Sequence, residues 1–203
     1  MQNKTKIRFS AFEQDLIKNA DWILTKNLII EKMKLLLQQC LEKQKETIAQ
    51  HKFLLSDEVK SIDPKISRGE NYKGLPWLML DYPRYFDKEN IFAIRTFFWW
   101  GHYFSTTLHL SGKNKILFVQ KIIDSYYLLK EDPFYLCINE TEWEHNFDDK
   151  NFQLIHEISL NEFHQLLSEK KFIKISRRIN LEEWDQLPKL TASATNFFLK
   201  ILS

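Results

Sequence analysis

The sequence predicts an α+β domain with helices at its N- and C-terminal ends and a central antiparallel sheet that contains an aromatic-rich hairpin. Three observations carry this expectation. The first quarter repeats apolar residues at steps of three and four, the period of a helix lying on a core. The middle of the chain shows short apolar runs divided by turn residues. All four glycines lie within the 44 residues from Gly69 to Gly112, and 12 of the 29 aromatics lie between Tyr72 and Phe104. Glycine permits turns and close backbone approach, and aromatics carry the largest buried areas. This segment is therefore expected to be the turn-rich centre of the fold and the place to look for a site.

Taken in order, Ser10 with Glu13 forms a capping box for a helix from Ala11 to about Asn19. A longer helix is expected from about Asp21 to Lys52. Its face runs through Ile29, Met33, Leu37, Cys40 and Ile48, with Glu31, Lys34 and Gln38 opposite. Residues 56–74 read as loop, because Asp63-Pro64, Ser67, Gly69, Asn71 and Gly74 are turn residues. Leu75–Leu80 reads as a buried strand, Ile91–Trp99 and Tyr103–Leu110 as the next two. Ile116–Lys130 suits a helix that Asp132-Pro133 stops. Phe134–Ile138 and Phe152–Ile158 read as strands, and Ser159 with Glu162 caps a helix to about Lys170. Phe172–Ile179 alternates, with Phe172, Lys174, Ser176 and Arg178 on one side. Helices at Leu181–Trp184 and Leu190–Leu202 close the chain. One domain over 1–203 is expected, with a helical part over 1–55 and an α+β body over 56–203.

The hairpin is the most specific feature. A two-residue turn at Trp100-Gly101 sets Trp99 opposite His102, Phe97 opposite Phe104 and Arg95 opposite Thr106. It places Arg95 in an apolar row and puts His102 and His109 on opposite faces. A buried guanidinium must be paired or reach solvent. Asp81, Asp87 and Glu70 are the nearest acidic partners in sequence. In the functional alternative, Arg95 with Arg84 or Lys73 receives an anionic ligand in an aromatic-lined pocket. Tyr82, Trp99 and His102 complete the candidate ligand-binding set.

Composition excludes several classes. A formal net charge of +2 supplies no bulk field towards nucleic acid or an anionic membrane. Apolar residues at 44% and charged ones at 28% are a globular mix. Cys40 and Cys137 show no metal-like spacing and read as buried free thiols of a reducing compartment. No stretch approaches the ~18 apolar residues of a membrane span, and residues 1–15 hold no run long enough for a signal peptide. A cytoplasmic protein is expected. Glu140, Glu142 and Glu144 would share one face of a strand, an acidic exposed edge that discourages aggregation; no metal and no cofactor are expected. The basic stretch from Lys170 to Arg178 carries no nucleic-acid motif. Nucleotide, zinc-protease and hydrolase signatures are absent.

The run Tyr72-Lys73-Gly74-Leu75-Pro76-Trp77-Leu78-Met79-Leu80-Asp81-Tyr82-Pro83-Arg84, with Phe97-Phe98-Trp99-Trp100-Gly101-His102, resembles that of an uncharacterised family of small bacterial cytoplasmic proteins with no assigned activity. The likeness covers mainly residues 70–112 and implies a bacterial, single-domain protein with no catalytic residue to carry over. Three readings stand from the sequence. The first is a non-enzymatic domain binding a small anionic or peptide ligand near the hairpin. The second is an enzyme of unknown type in the same cleft. The third is an interaction protein that dimerises through its long N-terminal helix.

Overall fold

The computed structural model describes residues 7–51 and 54–203. The protein is α+β, with helices towards both ends of the chain and a seven-stranded antiparallel sheet between. The chain divides into two compact units, 1–35 and 36–203. Helix α1 (Ala11–Lys18) is capped as expected: Ser10 Oγ accepts from Glu13 N, and Glu13 returns a carboxylate to Ser10 N. Helix α2 (Ala20–Ala49) continues from the first unit into the second. Its expected end near Lys52 lies outside the described residues.

In the second unit, α3 (Asp57–Lys60) leads into strand β1 (Lys65–Tyr72). No strand was expected over these residues, whose polar and glycine content resembles loop. Yet β1 is an edge strand with one neighbour, so it needs little apolar surface. Strands β2 (Leu75–Phe86), β3 (Ile91–Trp99) and β4 (Tyr103–Ser111) follow as a meander. β2 outlasts its apolar run because a register shift between Asp81 and Arg84 carries Pro83 out of the ladder. The expected single helix after β4 is broken at Ser125 into α4 (Gly112–Asp124) and α5 (Tyr126–Glu131). Then come β5 (Phe134–Cys137), the short β6 (Phe152–Leu154), α6 (Leu160–Glu169), β7 (Phe172–Ile179) and α7 (Leu187–Leu202). The sheet order is β1-β2-β3-β4-β7-β5-β6.

The hairpin corrects the expected register by one residue. Trp99 pairs with Tyr103, Phe97 with Ser105, Arg95 with Thr107 and Ala93 with His109. The loop is therefore Trp100-Gly101-His102, closed by His102 N donating to Trp99 O, with Gly101 at φ +73°. A three-residue loop with glycine in the left-handed region is a standard hairpin connection. One residue of slip exchanges every β4 side chain between faces. The apolar face now gathers Phe92, Ile94, Leu108 and Leu110 with Ile173 and Ile175, packed under α4 to α7 by residues such as Phe118, Phe163 and Phe198. The other face carries Arg95, Thr107, His109, Lys174 and Ser176 beside a buried cluster of Met79, Phe97, Trp99 and Tyr103.

Gly112 opens α4 at φ +53°, and a Cβ there would lie 2.5 Å from the Glu89 main-chain oxygen. Both the left-handed backbone and the contact with a rigid carbonyl oppose a side chain. Gly112→Ala is expected to lower the unfolding free energy by about 2–4 kcal/mol. Urea denaturation checks this, and an unchanged midpoint would contradict it.

Candidate functional site

The site begins with register. Asp81 on β2 lies directly opposite Arg95 on β3. Arg95 Nε donates to Asp81 Oδ1 at 2.7 Å and Nη2 to Oδ2 at 3.4 Å. The two side chains are only 12% and 7% exposed, so each charge depends on the other. Of the three acidic partners that sequence proximity offered, Asp81 makes the pair. Asp87 instead closes the β2–β3 turn, accepting from Glu89 N and Asn90 N. Asn90 Nδ2 also donates to both of its oxygens, and that amide, with the two backbone N–H groups, holds the carboxyl well below the usual carboxylate range. Arg95 Nη1 is buried and has no partner among the described residues. The guanidinium also lies 5.4 Å from the Phe86 ring centroid and 6.0 Å from that of Trp143.

The corrected register brings His109 onto this same face, where the sequence had separated it from Arg95. His109 Nε2 lies 2.9 Å from Glu142 Oε2. Burial pushes the imidazole down to about 4, so it is neutral at pH 7 and donates Nε2–H to the carboxylate. That hydrogen bond holds Glu142 below the ordinary carboxylate value. Nδ1 is then a buried acceptor without a partner among the described residues. Lys174, opposite His109 on β7, is fully buried. Burial pushes its amine down to about 8, and Nζ donates to the main-chain oxygens of Glu142 and Glu144.

These two carbonyls belong to the irregular segment 138–151, which covers the polar face. An irregular backbone over a sheet needs side chains to satisfy it, and the sheet supplies them. Tyr72 Oη accepts from His145 N at 2.8 Å and Asn146 N at 3.0 Å while donating to Glu144 Oε2 at 2.9 Å. Tyr103 Oη accepts from Phe147 N and donates to His145 O, each at 3.2 Å. Burial pushes the Tyr72 phenol up to about 12 and raises that of Tyr103 as well. Glu140, Glu142 and Glu144 are thus not a strand edge; Glu142 and Glu144 turn towards the sheet and anchor the cover.

Between cover and sheet lies a cavity of about 240 Å³. The rings of Tyr72, Trp77, Phe97, Trp143 and His145 line it, together with Arg95, Asp81 and Ser67. His145 lies 5.1 Å from Phe97, and burial holds its imidazole well below the ordinary range, so it too is neutral. Among the described residues, no group of three or more His, Cys, Asp or Glu is arranged to hold a metal ion.

The six sequence-chosen site residues separate. Arg95 lines the cavity. Trp99 stands in the adjoining aromatic cluster, its Nε1 donating to Tyr72 O and its ring stacked 3.6 Å from His102. His102 itself is exposed in the hairpin loop. Tyr82 packs against the opposite, helix-covered face. Arg84 lies over Phe86 outside the cavity wall, and Lys73 pairs with Asp148 at 3.2 Å on the surface. Trp143, His145 and Lys174 were missed as a group, because a loop 30 residues from β7 joins them. The alternation of β7, which sets Lys174 beside Ser176 on the non-apolar face, was the one signal that could have led to them.

No family model matches this chain, and neither a curated protein nor a solved structure matches it. Among the described residues, no helix is long and apolar enough to cross a membrane.

His109 ties stability to pH. Its folded value is about 4 against an ordinary 6.5, so the unfolded chain takes up a proton across that window while the folded chain refuses it. Stability is present above the ordinary value and is lost as pH falls through the folded one. Arg95 and Lys174 face the same ring and reinforce the effect. Between those limits the wild type is expected to lose about 3 kcal/mol more than His109→Gln. Denaturation curves across the window check this, and parallel losses in the two proteins would contradict it.

Proposed function

We propose that the protein is a binding module whose ligand enters the Arg95 cavity, and that the ligand is a small flat ring carrying a carboxylate or carbonyl oxygen. The observation that carries this reading is the condition of Arg95. Asp81 engages two of its nitrogens and leaves a buried third without a partner among the described residues, and the same side chain lines a cavity that five aromatic rings share with Asp81, Ser67, Asn71 and Met79. A guanidinium offers five donors in a fixed fork, so an oxygen acceptor is the group it lacks. The rings supply stacking and edge contacts to a planar body.

Size narrows the class. A cavity of about 240 Å³ falls below the roughly 300–1,000 Å³ of sites that take drug-sized ligands. One ring with a short polar substituent fits; a folded peptide does not. Charge narrows it further. Asp81 already neutralises Arg95, and the neutral His145 adds no second cation, so the site suits at most a single negative charge.

Benzoate and nicotinate are the probes. Each is expected to raise the melting temperature of the wild type at millimolar concentration and to shift the indole resonances of Trp77 and Trp143. Arg95→Lys keeps the charge but not the fork, and it is expected to weaken binding about tenfold or more, roughly 1.4 kcal/mol. Absence of any shift with both probes, or equal affinity in Arg95→Lys, would defeat the reading.

A further inference from the structure

Among the described residues, the first unit carries many exposed apolar side chains. Nine large apolar side chains between Ile7 and Leu35 are 43–88% exposed. Helix α1 has eight residues and none is buried. Isolated helices shorter than roughly 12–15 residues are marginal in water, so caps alone do not account for α1. Phe12 and Ile17 on it are 71% and 68% exposed, and Phe9 before it 57%.

Helix α2 adds a stripe. At about 100° per residue, Leu24, Leu28 and Leu35 fall within roughly 40° of one another. They are 58%, 65% and 60% exposed. They lie across the helix from Leu37 and Cys40, which are fully covered at 1% and 0% exposure. A helix with apolar stripes on two sides is built to be covered on both.

We propose that a second copy of this chain covers this surface, so that the protein is a homodimer joined through residues 7–35. Area supports it. Nine side chains exposed to this degree present on the order of 1,000 Å² of apolar surface. These side chains lie on more than one side of the two helices, and a standard interface takes about 800 Å² from each partner. Charge supports it too. Residues 7–35 hold five basic and four acidic side chains, so two copies do not repel. A surface so nearly neutral lacks the basic face by which amphipathic helices settle on anionic membranes.

Light scattering on the full chain after size exclusion is expected to give twice the chain mass of 24.5 kDa at micromolar concentration. Leu28→Glu, at an exposed position, is expected to halve that mass while losing no more helical signal than the eight residues of α1 supply. Lys43→Glu, on the solvated part of α2, is expected to keep the dimer. A wild-type monomer at 100 μM (about a hundred times a typical micromolar Kd) overturns the proposal, as does a Leu28→Glu dimer. Should Leu28→Glu lose its helical signal, Leu24→Gln with Leu35→Gln replaces it under the same two outcomes. A monomer that sediments with phosphatidylserine vesicles would assign the surface to lipid and likewise overturn the dimer.

Discussion

The Asp81–Arg95 pair is the constraint on which the rest of the second unit turns. Two opposite charges face each other across neighbouring strands, and both are almost wholly removed from water. Neither can be buried alone, because an unpaired charge in such a setting costs several kcal/mol. Their mutual need fixes the register of β2 against β3 just before the ladder shifts at Arg84. It also puts charged and hydrogen-bonding groups, beside an aromatic cluster, on one face of the sheet where the other is apolar. The two faces therefore demand different covers.

The apolar face takes helices, which bring close-packed side chains and no backbone groups of their own to satisfy. The polar face takes the irregular segment 138–151, whose exposed carbonyls and amides need donors and acceptors. Tyr72, Tyr103 and Lys174 provide them. The exchange is mutual: the cover excludes water from Arg95, His109 and Lys174, and these groups satisfy the cover. Burial then sets the protonation states, with two neutral imidazoles beside two cations.

Much of the fold could be read from the sequence because it depends on local periodicity. The helical ends, strands β2 to β4, the β7 alternation and the caps at Ser10 and Ser159 all follow from neighbours a few residues apart. The pairing of Arg95 with a nearby acid also followed, since fourteen residues and one turn separate it from Asp81. The loop length at Gly101 was not readable: two-residue and three-residue loops both accept glycine, and only packing chooses between them. That single residue moved His109 to the other side of the sheet. The cover was beyond reach for a different reason. Glu142, Trp143 and His145 meet the sheet through contacts some 30–70 residues distant in sequence, and alternating glutamates look the same on a solvated edge as on an anchored loop.

A double-mutant cycle on Asp81→Asn and Arg95→Met, read by urea denaturation, tests this account most directly. If the pair sets the register and carries the polar face, each single change costs about 3 kcal/mol or more. The two together then cost clearly less than their sum, with a coupling energy of about 1.5–3 kcal/mol. Additive losses, or single variants as stable as the wild type, would show that the guanidinium does not rely on this carboxylate, and the account would fail.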